Sequence, residues 1–418
     1  MVGCQFHITF PTMNETLLQF DESATTTKTQ SSRVNKLCII LLSVFALIAV
    51  IATGLLVYFF LPRKIGQVLI WREVLRCRKD KSDVSSAMQL ATLYNTNRGV
   101  ILAGGGSDIH ENTCSPTLFR SIDDGETWTK VYVGQPDMFS LYSFQELSNG
   151  DFVGLVPDYF LRSTDGGLNW TIQNLTGTGF SMKFNPDDNI LIVSKNPNEI
   201  YISNDYGQTF RLKNYCPEGG CDNLRAITYA GNRTWYLGVG EDEGHSNISH
   251  ARVFKSTDNG ENWEKVFEIL NDGDYKVIFS VFAYSTEEVL IGVDGDSENH
   301  PGIYKSSNGG KNWTHVCDTF EEFDPSIKIV RSFFKDEDND KLFACLDCSY
   351  ASSHTWADEP DANRNSMVIV SEDRGTTWKA FSRTGTKRLY WMTKTKDGNY
   401  LVTTGEYGQI LKSSFMEI

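Results

Sequence analysis

The chain has 418 residues, 39 basic and 53 acidic side chains, and a formal net charge of −14. Its length permits a large core, and its aromatic content with ordinary charge excludes a disordered chain. The acidic excess excludes nucleic acid and anionic lipid headgroups as partners of its surface.

The first 36 residues hold three basic and three acidic side chains and are expected to form a short cytoplasmic tail. Leu37 to Leu61, LCIILLSVFALIAVIATGLLVYFFL, carries no charge over 25 residues. As a helix it extends roughly 37 Å, enough to cross a bilayer with some tilt. No face of it is polar, which argues against a buried core helix. Its length, its late start and the lack of a small-x-small site argue against a cleaved signal peptide. A signal-anchor transmembrane helix is expected over 37–61, followed by a short linker over 62–66.

Basic residues flank this span almost equally: Lys28, Arg33 and Lys36 before it, Arg63 and Lys64 after it. They do not fix its orientation. The sequons Asn169, Asn174, Asn232, Asn247 and Asn312 all lie after the span. Seven of the nine cysteines lie there too, and Cys216 and Cys221 in CPEGGC suit a local disulfide in an oxidising compartment. These features lead to a type II single-pass glycoprotein of the secretory pathway or cell surface. Residues 67–418 would be lumenal or extracellular.

Six octapeptides then recur: SIDDGETW at 121, STDGGLNW at 163, SNDYGQTF at 203, STDNGENW at 256, SSNGGKNW at 306 and SEDRGTTW at 371. A polar acceptor stands third in each (Asp123, Asp165, Asp205, Asp258, Asn308, Asp373). An aromatic stands eighth (Trp128, Trp170, Phe210, Trp263, Trp313, Trp378). The acceptor suits turn amides, the glycine supplies positive φ, and the aromatic packs on a neighbouring unit. The spacings of 42, 40, 53, 50 and 65 residues indicate a solenoid, propeller or array.

The octapeptide resembles the Asp-box, or BNR, repeat of the sialidase-like β-propellers, and the resemblance covers about residues 67–418. It implies an all-β propeller of four-stranded antiparallel sheets, each box joining third and fourth strands. Six units carry boxes. A seventh set of three strands follows (RLYWMTKT, NYLVTTG, QILKSS), which gives seven blades, whereas sialidases of this family have six. Three strands leave an open edge, which propellers close with a strand from the other terminus. QVLIWREVLRC places Trp71 and Val74 at the spacing of WTKV, WEKV and WTHV in the fourth strands. Residues 68–76 are therefore expected to pair with residues 408–414, with Trp71 packed like the box tryptophans.

In this topology the boxes share one face and the channel mouth lies on the other, where ligands are expected. Sialidases hold a substrate carboxylate with three arginines and attack with a Tyr–Glu pair. Their Phe-Arg-Ile-Pro signature is absent here. Arg225, Arg331 and Arg388 fall in first strands, but their positions along those strands do not match. Glu406 and Tyr407 are adjacent and point apart. No catalytic residue is assigned. The expected function is a recognition module for glycans or glycoproteins at the channel mouth, with no nucleic acid and no cofactor. The ligand face would include Arg225, Arg331, Arg388, Tyr390 and Trp356, with Tyr350 beside them. A sialidase-like glycoside hydrolase and an assembly or chaperone-like propeller are the alternatives. The mouth loops mix acids with His110, His245, His250, His300 and His354. Asp242, Asp294 and Asp296 are the residues that would hold calcium, but no ligand spacing is diagnostic and no metal is expected.

Overall fold

A computed structural model describes residues 67–77, 89–106, 115–135, 138–219, 221, 223–240, 248–272, 277–295, 301–327, 329–348, 366–386, 388–405 and 408–417. Its strands form seven four-stranded antiparallel sheets. Their inner strands are Gln89–Asn95, Ser143–Glu146, Thr178–Asn185, Asn223–Gly231, Ile278–Ala283, Ile329–Asp336 and Leu389–Lys394. Each touches the next in cyclic order, and the seventh touches the first, so the sheets are the blades of a closed propeller around a channel. The tail and the apolar span over 37–61 lie outside the described residues. No helix among the described residues is long and apolar enough to cross a membrane.

The core is a ring of seven apolar clusters, one at each junction between blades. In the cluster between blades three and four, for example, Ile192, Ile200 and Ile202 meet Leu224, Trp235 and Leu237. Second strands are buried along all or nearly all of their length, completely in TWYLGVG of blade four, because both faces meet another blade. Close approach requires small residues there. A Cβ on Gly238 would lie 2.6 Å from Ile278 Cγ2 of the next blade.

The boxes explain their own sequence. In each, the serine hydroxyl donates to Oδ1 of the third residue, at 2.8 Å from Ser121 to Asp123, and accepts the glycine N–H, at 3.0 Å from Gly125. Oδ1 also accepts the amide four residues on, at 2.9 Å from Thr127. The remaining carboxylate oxygen takes the side chain of that residue, as Asn169 Nδ2 does with Asp165 at 2.7 Å. The seventh position is therefore Thr or Asn. Gly167 and Gly310, rather than their neighbours Gly166 and Gly309, take the place of the box glycine. The serines that open all six boxes are buried in every one of them.

These bonds favour the ionised carboxylate. Burial works against ionisation of Asp123, but hydrogen bonds from Thr127 and Ser121 outweigh it and pull the group down to about 2. Hydrogen bonds from the amide and side chain of Asn169 and from Ser163 bring Asp165 to about 2 as well. A native value below the ordinary 3.8 means that the folded state binds fewer protons than the unfolded state between the two values. The boxes thus contribute fully above about 3.8 and lose that contribution as pH falls through about 2.

Box five departs from this pattern, because Asn308 is a neutral acceptor and its bond from Ser306 is longer, at 3.1 Å. Asn308→Asp should create the carboxylate–Asn312 pair seen in boxes two and four. The expected gain is about 1 kcal/mol at pH 7, reduced at pH 3 and lost as pH falls through about 2. Denaturant titration at both pH values measures it, and an equal gain at pH 3 would contradict the box electrostatics.

In four of the six boxes the residue before the serine adds a tie between blades. Arg120 donates to the Gly166 carbonyl of the next box at 2.9 Å, Arg162 donates to Tyr206, Lys255 to Gly309 at 2.9 Å and Lys305 to Arg374 at 2.9 Å. Each acceptor residue has positive φ, which turns its carbonyl towards the preceding blade. Blade six has Val370 in this place, and the blade after it has no box. Blade three has Ile202, and there Asn259 is held instead by Asp188 and Asn185.

Ring closure follows the expected pattern. Gln67–Arg76 pairs antiparallel with Gln409–Glu417 as the outer strand of blade seven, with Trp71 opposite Ser413. Trp71 packs into the junction of blades six and seven, as each box aromatic packs into the junction preceding its own blade. Its Nε1 donates to Ser382 Oγ at 2.9 Å. Lys412, 1% exposed, crosses the seam to the Asp124 carbonyl at 2.9 Å. It also pairs with Glu126 at 2.8 Å and Asp397 at 2.7 Å.

Candidate functional site

Antiparallel order puts the boxes and the turns between first and second strands on one face. The other face carries the connections between second and third strands and the entries to the inner strands. Just inside that entry six of the seven blades break register. A bulge residue stands between the residues of a shifted pair: Arg225 between Leu224 and Ala226, Phe279 between Ile278 and Ser280, Arg331 between Val330 and Ser332 and Ala91 between Leu90 and Thr92. Phe180 and Tyr390 lie within the corresponding shifts of blades three and seven. Tyr142 stands at the same level of blade two, its N–H bonded to the Leu155 carbonyl at 3.0 Å. A bulge leaves one residue out of the ladder and redirects its side chain. Here six large side chains are turned towards the channel.

They form a belt. Tyr142 and Phe180 meet edge to face, with centroids 4.9 Å apart. The Arg225 guanidinium lies 3.7 Å from the Phe180 centroid and 5.6 Å from that of Phe279. Arg331 lies 4.5 Å from Phe279 and 5.0 Å from Tyr390. Cation and ring alternate, each guanidinium attracted to the negative faces of its neighbours. The belt is open at blade one, where the bulge residue is Ala91. Below it a cavity of about 350 Å³ is lined by residues of all seven inner strands, among them Lys183, Thr228 and Trp391. Trp391 is 36% exposed and stands where blades one, five and six place Thr92, Ser280 and Ser332.

The candidate ligand residues divide. Arg225 and Arg331 occupy equivalent bulges, which corrects the expectation that the positions of the arginines do not match. The reason is that the bulge breaks the two-residue period by which positions along a strand are counted. Arg388 lies two residues ahead of that level, is 3% exposed, and donates to the Tyr390 hydroxyl at 3.1 Å. That hydroxyl donates to Gln89 of blade one at 2.6 Å. Arg388 and Tyr390 thus tie blade seven to blade one, and one face of the Tyr390 ring is taken by Arg331. Trp356, Tyr350, Glu406 and Tyr407 lie outside the described residues, as do Asp242, Asp296, His110, His245, His300 and His354. Asp294 is buried and accepts the Val277 N–H at 2.5 Å, which occupies it structurally. His250 contacts Glu268 at 3.0 Å. Among the described residues no group of three or more His, Cys, Asp or Glu is arranged to hold a metal.

Cys216 and Cys221 are joined at an S–S distance of 2.09 Å in the loop entering blade four. Asn169, Asn174, Asn232 and Asn312 are exposed, and Asn247 lies outside the described residues.

No protein-family model and no curated protein matches the chain. Solved structures do. YCF48 from Cyanidioschyzon merolae is 13% identical over 82% of this chain and 98% of that one, with a TM-score of 0.52. A structure of YCF48 bound to a D1 peptide is 13% identical over 82% and 96%, with a TM-score of 0.53. The extracellular domain of BT4673 from B. thetaiotaomicron is 13% identical over 83% of this chain and 40% of that one, with a TM-score of 0.55. At such identity the likeness is one of fold: an all-β, seven-bladed propeller.

Proposed function

We propose that the chain is a membrane-anchored recognition propeller of the Asp-box type, whose channel mouth binds a segment of a protein or glycoprotein partner. The belt carries this reading: five of its six side chains, from five blades, converge on one cavity and include a guanidinium with no counter-ion among the described residues. A peptide-bound propeller of the same fold, YCF48 with its D1 peptide, supports a polypeptide as the occupant. Stacking of free sugars is less well served, because Arg225 and Arg331 sit against the belt rings that a sugar would use. A sialidase-like grip is also poorly served, since only two of the seven equivalent positions carry arginine. An assembly role is one use to which such a module can be put.

Selection of displayed random peptides on the full chain in detergent tests the reading, with a glycan array and a fluorogenic sialoside assay in parallel. A peptide consensus should emerge and be lost in Ala226→Trp, which places in blade four the residue that blade seven carries naturally at Trp391. Binding to glycans alone, or turnover of the sialoside, would contradict it. Endoglycosidase should shift the mobility of the chain from cells if the sequons face the lumen. Protease access only from the cytosolic side would reverse that orientation.

A further inference from the structure

Arg225 and Arg331 are equivalents in the fold and opposites in their electrostatics. Arg331 pairs through Nη2 with Asp347, fully buried, at 2.7 Å. Among the described residues Arg225 has no carboxylate within ion-pair distance; its buried Nε has no hydrogen-bond partner, a feature it shares with Arg331. It is held by stacking on Phe180, which uses the face of the guanidinium and leaves its edge, the planar fork of N–H donors, for an anion. The cavity repeats the asymmetry. Four cationic residues line it, Lys183, Arg225, Arg331 and Lys335, against the single acid Glu337. Lys335 pairs with Glu337 at 2.6 Å and Asp340 at 3.3 Å. Lys183 pairs with none of the described acids. It stands on the inner strand adjoining that of Arg225, three residues beyond the bulge, or about 10 Å further down the channel.

We infer that Arg225 and Lys183 form a carboxylate-binding subsite in the channel, which takes an acidic side chain or the C-terminus of a bound polypeptide. The inference rests on the recognition reading above and names the chemistry that the channel selects. In a protein of net charge −14 a pair of cations with no acidic partner among the described residues is out of character. Desolvating such a pair costs free energy that only an incoming anion returns. Burial holds the Lys183 ammonium below the usual lysine range, and a carboxylate beside it would reverse that. A planar fork at one end and a point charge at the other suit an extended acidic segment, with Phe180, Phe279 and Tyr142 covering its apolar parts.

Trp391 faces the same cavity and reports occupancy, once the Trp391→Phe signal is subtracted from that of the full chain in detergent. Three near-isosteric probes separate the sources of charge. Acetyl-hexaglutamate amide carries side-chain carboxylates, acetyl-hexaglutamine acid carries only a terminal one, and acetyl-hexaglutamine amide carries none. At least one carboxylate probe should bind ten-fold or more tightly than the neutral one, more weakly as salt rises. Arg225→Gln and Lys183→Met should each remove that preference, while Lys379→Gln on an exposed outer strand should keep it. Equal binding of all three probes, or an unchanged preference in Arg225→Gln, overturns the carboxylate subsite and leaves peptide recognition standing. Tighter binding of inorganic phosphate than of any carboxylate probe overturns it as well. Failure of every hexapeptide to perturb Trp391 overturns both readings.

Discussion

Deleting residues 65–76 lowers stability by on the order of 5 kcal/mol, more than any single box substitution. The deletion removes the outer strand of blade seven and leaves Gln409–Glu417 as an open edge, a template for association. It withdraws Trp71 from the junction of blades six and seven, and Val74 and Leu75 from the junction of blades seven and one. Each large apolar side chain returned to water costs about 1.5–3 kcal/mol. By comparison, Asp258→Ala strands turn amides for about 1–3 kcal/mol. Equilibrium denaturation of the two variants beside the parent measures the difference. A synthetic peptide of residues 67–77 should restore part of the loss, since the pairing needs no covalent continuity. Denaturation of the truncated chain within about 1 kcal/mol of the parent would mean that the seam is not held by this strand.

Lys412→Met is expected to cost about 2–3 kcal/mol. Removing one partner of a buried charge pair generally costs about 3–5 kcal/mol. Here Glu126 and Asp397 are 45% and 40% exposed, so water recovers part of the loss. Burial opposes the charge on Lys412, but hydrogen bonds to Asp397 and Glu126 outweigh it and hold the ammonium above its usual range. It is charged throughout the neutral region, so the loss should be flat from pH 6 to 9. Lys412→Arg should recover most of it, because Arg120 and Arg162 do the same work at the next two seams. A Met variant as stable as the parent would show that the tie across the seam is redundant.

Much of the architecture is legible in the sequence because it is carried by short-range chemistry. A serine, an acceptor, a glycine and an aromatic close each turn by contacts within eight residues, so six copies stand out in any register. The closing strand is legible for a related reason: Trp71 and Val74 repeat the spacing of fourth strands whose fourth strand function they share. The belt is not legible in the same way. It depends on where each inner strand breaks register, and a bulge changes which residues face the channel without changing composition. Leu224-Arg225-Ala226, Ile278-Phe279-Ser280 and Val330-Arg331-Ser332 do share a pattern of apolar, large, then small. It becomes a signal only when the blades are superposed on the small residues of their second strands. Asp347, which neutralises Arg331 and so distinguishes it from Arg225, lies on a different strand 16 residues away. Nothing local to either arginine marks that difference.

The central claim is that the channel mouth is where a polypeptide is recognised, and photo-crosslinking in cells tests it most directly. A benzoylphenylalanine in place of Phe279 puts the probe in the belt with little change of shape. The same residue in place of Ile172, 48% exposed on an outer strand, samples the rim. The account predicts discrete polypeptide adducts from position 279 that disappear in Arg225→Gln, and none from position 172. Adducts from 172 alone, or adducts from 279 that persist undiminished without Arg225 and with the channel filled by Ala226→Trp, would contradict it.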